Sequence, residues 1–138
     1  MTARKPNAKG TVLVEAALTL LTLFVCLFAI MEAGRFFQIQ QTLTNAAREG
    51  ARFAVTPLSQ TSTLPTLGEV QARVQPFLNS ANITGATVAV APEACSPAPT
   101  QCTRVTVTAP YQLITLSMFS SLSMTLRGEA LMRNETSP

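Results

Sequence analysis

The sequence contains no histidine among its 138 residues, so the side chain that most often serves as a general base is absent. It also shows no nucleophile–base arrangement, no cluster with metal-ligand spacing and no Gly-rich phosphate loop. We therefore predict a protein that is not an enzyme and that needs neither a cofactor nor a metal ion.

Charged residues are scarce as well. They make up 12% of the chain, against roughly 25% in an ordinary soluble domain. The net charge of +3 comes from basic residues that are scattered, not gathered in a stripe with interleaved aromatics. Because binding to a phosphate backbone needs such a stripe, we expect no nucleic-acid partner.

What the chain has instead is a long apolar run. Residues 11–31 read TVLVEAALTLLTLFVCLFAIM, in which Glu15 is the only charged residue. A helix needs about 20 apolar residues to cross roughly 30 Å of hydrocarbon. A buried core helix is the alternative, but the rest of the chain offers little to enclose it. We predict a transmembrane helix over residues 11–33, with membrane lipid as a partner.

Basic residues indicate the orientation of this span. Arg4, Lys5 and Lys9 lie in a polar leader, residues 1–10, and short basic flanks stay cytoplasmic. Arg35, just after the span, weighs against that assignment. We predict a single-pass protein with its N-terminus in the cytoplasm and its C-terminal part outside.

The cysteines agree with this orientation. Cys26 lies within the predicted span, where it would be an apolar filler. Cys95 and Cys102 flank the Pro-rich loop SPAPTQ and can close a small ring in an oxidising compartment. Two unrelated thiols are the alternative, but the short loop and the outside location favour a disulfide.

After the span, apolar and small residues recur at spacings of three and four. This pattern predicts a helical stalk over residues 34–54, continuous with the span and ended by Pro57. Glu49 and Arg52 lie near its other side and can pair across one turn. The stripe consists of Phe36, Ile39, Leu43, Ala46 or Ala47, Gly50, and Phe53 or Ala54.

A second helix follows in the extracytoplasmic head, which we place over residues 55–138. Thr66 and Glu69 have the spacing of a capping box, which predicts a helix over residues 66–79. Pro76 is expected to kink or end it. Its apolar face consists of Leu67, Val70, Val74 and Leu78.

The rest of the head alternates polar and apolar residues, the period of half-buried strands. Strands are predicted over residues 87–90, 104–109 and 122–130, and residues 112–121 form a short helix or a loop. The third strand carries Leu122, Met124, Leu126 and Ala130 on one face. The predicted fold is α+β, a long N-terminal helix followed by a small head with one helix covering a three-stranded antiparallel sheet.

Glu15 interrupts the predicted span. A carboxylate at the centre of a membrane helix costs on the order of 2.5–3.5 kcal/mol on insertion scales, and less near its end. An amine is the natural partner. If the chain were cut after Gly10, the new terminus at Thr11 would carry a positive charge one helical turn from Glu15. The alternative is a carboxylate that snorkels to water at the cytoplasmic edge.

At these residues the sequence resembles known pilus proteins. A basic leader, Gly10, four residues, Glu15 and an apolar run are similar to the type IV prepilin processing site, where a membrane aspartic peptidase cleaves after the glycine. Residues 32–54 resemble the signature of the TadE-like family, the pseudopilins of the Flp/Tad pilus assembly system. This match rests on the Glu-x-Gly-Arg turn at Glu32 and on the run NAAREGAR from Asn45.

The resemblance implies a pseudopilin or minor pilin of the bacterial inner membrane, cut between Gly10 and Thr11 by a prepilin peptidase. Its partners would be other pilins or pseudopilins and the pilus assembly platform. The chain would form a homo- or hetero-oligomer, in which Glu15 pairs with a terminal amine. Major Flp pilins are much shorter and place a tyrosine after the glutamate, where this chain has Ala16. Small residues that permit close approach of another helix are Ala46, Ala47 and Gly50.

Two other functions stay open from the sequence. A single-span binding module would hold its head outside the cell with no cleavage at Gly10. Secretion with an ordinary signal peptide would use the apolar run as its core. However, residues 31–33 form a poor cleavage site and Glu15 suits such a core badly.

Overall fold

The computed structural model describes residues 8–58, 63–96, 101–114 and 123–134. Its elements are the helices α1 (Ala8–Val55) and α2 (Leu67–Ser80) and the strands β1 (Thr87–Ala94), β2 (Gln101–Gln112) and β3 (Ser123–Arg133). The predicted α+β fold is confirmed. The predictions that fall outside the described residues concern most of the leader, Leu122 and most of the segment 112–121.

The chain divides into two compact units, Met1–Arg35 and Phe36–Pro138, named below the N-terminal unit and the C-terminal unit. The latter contains residues 36–55 of α1 together with α2 and the sheet. The division into a stalk of residues 34–54 and a separate head stays a prediction.

The predicted apolar stripe of α1 forms part of the core of the C-terminal unit. Its buried members are Leu43, Ala46, Ala47, Gly50 and Ala54, and Phe36, Ile39 and Phe53 are partly buried. The helix ends at Val55, two residues before Pro57. It ends there because proline has no backbone N–H and disfavours helical backbone at the residue before it.

Helix α2 begins with the predicted capping box. The backbone N–H and the hydroxyl of Thr66 donate to Glu69 Oε2 at 2.7 and 2.8 Å. These two hydrogen bonds, the backbone bond foremost, hold the pKa of Glu69 below its usual value. The first turn of α2 is therefore stabilised by its own sequence.

The apolar face of α2 differs from the prediction at one position. Val70, Val74 and Leu78 are fully buried, as predicted. Leu67 is 49% exposed, because it lies in the first turn, beyond the buried part of this face. Pro76 does not end the helix, since burial of the residues before and after it offsets the lost hydrogen bond.

The sheet has the strand order β1-β2-β3, and both pairs of strands are antiparallel. The central strand β2 alternates as predicted, and its core-facing side chains are Val105, Val107, Ala109 and Tyr111. Strands β1 and β2 are longer than predicted, because their pairing continues past the β-branched residues to Ala94 and Gln101. Met124, predicted on the buried face of β3, is 41% exposed because it lies near the end of an edge strand.

Gly128 lets α1 lie directly on the sheet. A Cβ at this position would be 2.6 Å from Thr44 N and nearer still to the Leu43 carbonyl group. Beside this contact, Gln40 Nε2 donates to the Arg127 carbonyl oxygen at 2.9 Å. The sequence predicts α2 as the cover of the sheet; the structure shows that α1 covers it as well.

Candidate membrane anchor and assembly surface

The N-terminal unit presents an apolar helix surface. Every large apolar side chain from Val12 to Met31 is exposed, and even the least exposed of them, Leu27, is 48% exposed. Within the described residues, α1 is the one helix long and apolar enough to cross a membrane, and none of its most apolar window is buried. Apolar side chains on all sides of an unburied helix are typical of contact with lipid, which supports a single-pass membrane anchor.

The hydroxyl groups in this segment bond within the helix. Thr19 Oγ1 donates to the Ala16 carbonyl oxygen, and Thr22 Oγ1 donates to the Leu18 carbonyl oxygen, both at 2.9 Å. Hydroxyl groups satisfied in this way cost little in hydrocarbon. Among the polar residues of the apolar run, Glu15 is therefore the one whose position in a membrane helix needs an explanation.

Glu15 lies on the exposed helix surface close to the predicted cleavage site. With Gly10, Thr11, Val14 and Leu18 it lines a shallow depression. Thr11 and Glu15 are four residues apart, so they share one side of the helix. The predicted roles of Gly10 and Thr11 in processing and of Glu15 in pairing stay predictions.

The bond between Gly10 and Thr11 lies in the first turn of α1, which begins at Ala8. The first four N–H groups of a helix have no partner within the helix, and glycine disfavours helix by about 1 kcal/mol relative to alanine. No atom lies within 4 Å of a Cβ placed at Gly10. Local unwinding at this bond is therefore inexpensive.

The small residues predicted for helix packing lie inside the C-terminal unit. Ala46, Ala47 and Gly50 are buried. A Cβ at Gly50 would be 2.8 Å from Val74 Cγ2 and 3.2 Å from Val105 Cγ1. The close approach that Gly50 permits is thus made to α2 and β2 of the same chain, and Ala46 and Ala47 belong to the same buried core. Their packing against a second subunit stays a prediction.

Glu49 connects the two helices of the C-terminal unit. Its carboxylate accepts the predicted bonds from Arg52, at 3.2 and 3.3 Å, and also bonds from Arg73 of α2, at 2.8 and 3.1 Å. The hydrogen bonds from Arg52 and then those from Arg73 hold the pKa of Glu49 below its usual value. Arg48 is exposed on the same helix.

Ion pairs also join the strands on the outer face of the sheet. Arg104 of β2 donates from Nε to Glu93 Oε2 of β1 at 2.6 Å, and its Nη1 contacts Glu129 of β3. Arg127 Nη2 lies 2.7 Å from the second oxygen of Glu129. The bond from Arg104 lowers the pKa of Glu93, and Glu93 in turn raises the pKa of Arg104. These charges make the outer face polar.

Cys95 and Cys102 form a disulfide with their Cα atoms 5.7 Å apart, which confirms the predicted bond. It closes the end of the β1–β2 pair. Next to it, the Thr103 hydroxyl donates to Asn134 Oδ1 at 2.7 Å, and the Asn134 N–H donates to the Gln101 carbonyl oxygen at 2.9 Å. This end of the sheet is therefore fixed by a covalent bond and by buried hydrogen bonds.

Comparison with known proteins finds a similarity in the N-terminal part of the chain. Residues 10–52 match the family model of TadE-like proteins. The match confirms the predicted resemblance over this TadE-like segment, which is under half of the chain. No curated protein and no solved structure matches. The TadE-like segment and the apolar helix together support a pilus-associated membrane protein of the Tad type.

Several contacts of the C-terminal unit are absent from the predictions. The pairing of Glu49 with Arg73 joins residues distant in sequence, and no local pattern encodes it. The bond between Thr103 and Asn134 is of the same kind. Gly128 carries a recognisable signal, because a glycine inside a strand pattern often marks close approach of another backbone. Within the described residues, no group of three or more His, Cys, Asp or Glu side chains could hold a metal ion.

Proposed function

We propose that the chain is a pseudopilin, or minor pilin, that acts in assembly of a Flp/Tad pilus through its N-terminal helix. In this proposal a prepilin peptidase cuts the chain between Gly10 and Thr11. The observation that carries it is the position of Glu15, one turn after Thr11, on an exposed apolar helix within the TadE-like segment.

The proposed mechanism begins with insertion of the helix, leader inside, in the bacterial inner membrane. Cleavage then creates an amine at Thr11. Glu15 pairs either with this amine or with the amine of a neighbouring subunit. An unpaired charge in lipid is costly and a paired one is less so, so pairing between neighbours favours association of the helices.

The proposed contact surface for neighbouring helices is the exposed apolar surface of residues 11–31. Two observations support this choice. The side chains of this segment are exposed, whereas Ala46, Ala47 and Gly50 are occupied by contacts within the C-terminal unit. The partners proposed are other pilins or pseudopilins and the assembly platform, and the C-terminal unit lies outside the cytoplasm.

Glu15→Ala tests the pairing. We expect the variant to insert in the membrane normally, because removing a charge makes the segment more apolar, but to reduce pilus formation strongly. Membrane fractionation and electron microscopy of pili measure the two effects. Thr19→Ala is the matched control, since Thr19 lies one turn further along and its hydroxyl bonds only to the Ala16 carbonyl oxygen. Normal piliation with Glu15→Ala would contradict the mechanism.

A further inference from the structure

Exposed apolar side chains lie at one end of the C-terminal unit. Phe37, Ile114 and Met124 are 62%, 57% and 41% exposed, and we name these three residues the apolar rim. The Phe36 ring packs edge-on against the rings of Phe37 and Tyr111, with centroids 5.7 and 5.9 Å apart. Tyr111 is the strand partner of Met124 and precedes Ile114 by three residues. Phe37 and Met124 therefore lie beside the Phe36–Tyr111 pair, and Ile114 lies close to it in sequence.

Phe36 is also the residue at which the chain enters the C-terminal unit from the apolar helix. It lies five residues after Met31, the last residue of the apolar run. Five residues of fully extended chain span at most about 18 Å. Once the helix is in the membrane, Phe36 and the rim around it cannot be far from the bilayer surface.

The ion pairs of the C-terminal unit lie away from the rim within the described residues. Residues 105–126 contain no charged side chain, and they form most of β2, the connection after it and the start of β3. The ion pairs of Arg104, Glu93 and Glu129 lie further along the strands. Ile114 and Met124 thus belong to a segment with no charged side chain, and the charged residue next to the rim in sequence is Arg35, which directly precedes Phe36.

The opposite end of the unit provides a comparison. Strand β3 follows α1 away from Phe36, since Arg127 contacts Gln40 and Gly128 contacts Leu43. Leu131 comes later on β3 and is 45% exposed, about as much as Met124. It is an exposed apolar residue remote from the point where the chain enters the unit.

We propose that the apolar rim inserts into the headgroup boundary of the lipid bilayer and gives the protein a second membrane contact beside its helix. The proposal rests on membrane anchoring by α1. The apolar face of an interfacial helix is buried about 5–10 Å into the boundary between headgroups and acyl chains, and we expect the rim side chains to reach the same region. The contact would fix one end of the C-terminal unit against the membrane surface.

Fluorescence in lipid vesicles tests this contact with the full chain. Cys26→Ser removes the free thiol, and Ile114→Cys, Met124→Cys or Leu131→Cys then introduces one labelling site for nitrobenzoxadiazole. Vesicles contain lipids with a nitroxide near the headgroup. We expect a blue shift and loss of more than half of the emission for labels at Ile114 and Met124, and neither effect at Leu131. Resistance of Cys95 and Cys102 to alkylation verifies folding of each variant.

Three results would overturn the proposal. In the first, the emission of the labels at the rim is neither blue-shifted nor quenched. In the second, the labels at all three sites are quenched alike. A blue shift without nitroxide quenching would show that protein, such as a second copy, covers the rim. A separate experiment tests the anchoring of α1. The label is placed on the native Cys26, the nitroxide lies deep in the acyl chains, and quenching of the label shows that the helix is in the membrane. Its quenching beside an unquenched rim overturns the rim proposal alone, whereas an unquenched Cys26 overturns the anchoring itself.

Discussion

Arg73 Nη2 of α2 lies 2.8 Å from Glu49 Oε1 of α1, and Arg52 contacts the same carboxylate from within α1. The carboxylate is 19% exposed, less than either arginine. Its bonds therefore hold two helices together at the place where Gly50 packs against Val74. This relationship gives the TadE-like segment a structural role in the C-terminal unit.

Glu49→Gln should lower the free energy of unfolding by about 0.5–1 kcal/mol. The effect is small because exposed ion pairs contribute little, and only the Glu49 side of this pair is shielded from water, while both arginines are exposed. Urea titration of the full chain in detergent micelles, followed by circular dichroism, measures the change, because urea carries no charge and does not screen the ion pair. Arg48→Gln, an exposed change on the same helix, is the control and should have no comparable effect.

The same pair predicts a pH dependence. The arginines lower the pKa of Glu49 in the folded state. The stabilisation is therefore fully present above the unfolded pKa of glutamate, about 4.3, and is lost as the pH falls through the lower folded pKa. The difference in stability between the wild type and Glu49→Gln should be constant from about pH 7 to pH 5 and should shrink below about pH 4. A difference that grows on acidification would contradict this account.

Gly128→Ala should destabilise the chain by about 2–3 kcal/mol, because the new Cβ meets the backbone of Leu43 and Thr44, which cannot move aside without shifting α1. Gly68→Ala is the matched control. No atom lies within 4 Å of a Cβ there, and alanine in α2 should raise stability by about 0.5–1 kcal/mol. If Gly128→Ala left the free energy of unfolding unchanged or raised it in the same titration, the packing of α1 on β3 would not be as described.

Replacing Cys95 and Cys102 together by serine should cost about 2–3 kcal/mol, since the bond closes a ring over a sequence separation of 7 and restricts the unfolded chain. Cys26→Ser should leave stability unchanged, because Cys26 lies exposed on the apolar helix. Thermal unfolding with and without reductant measures both. Equal stability of the oxidised and reduced chain would be inconsistent with this role.

The sequence predicts those features that are encoded locally. The capping box of Thr66 and Glu69 marks the start of α2. The alternation of polar and apolar residues in β2 identifies the buried face of that strand. Burial at the ends of elements is less predictable, because Leu67 and Met124 continue an apolar pattern past the limit of the core. The pattern shows which residues are apolar, but their burial depends on how far the neighbouring element extends.

Contacts between distant elements are the part that local patterns miss. The sequence indicates that Gly50 permits close approach, but the partner found at Val74 depends on the tertiary fold. The candidate processing site differs from these contacts, because its residues are close together in sequence. Gly10, Thr11 and Glu15 are close in sequence and so can be read together, and the family match covers all three.

The mature N-terminus tests the central claim most directly. Intact-mass measurement of the protein extracted from its native membrane should show a chain that begins at Thr11. Gly10→Val should retain the leader, whereas Gly34→Val, at a second α1 glycine with open space around it, should still be cut. A wild-type protein that keeps residues 1–10 would contradict processing and favour the anchored binding module, and loss of residues 1–33 would indicate an ordinary signal peptide.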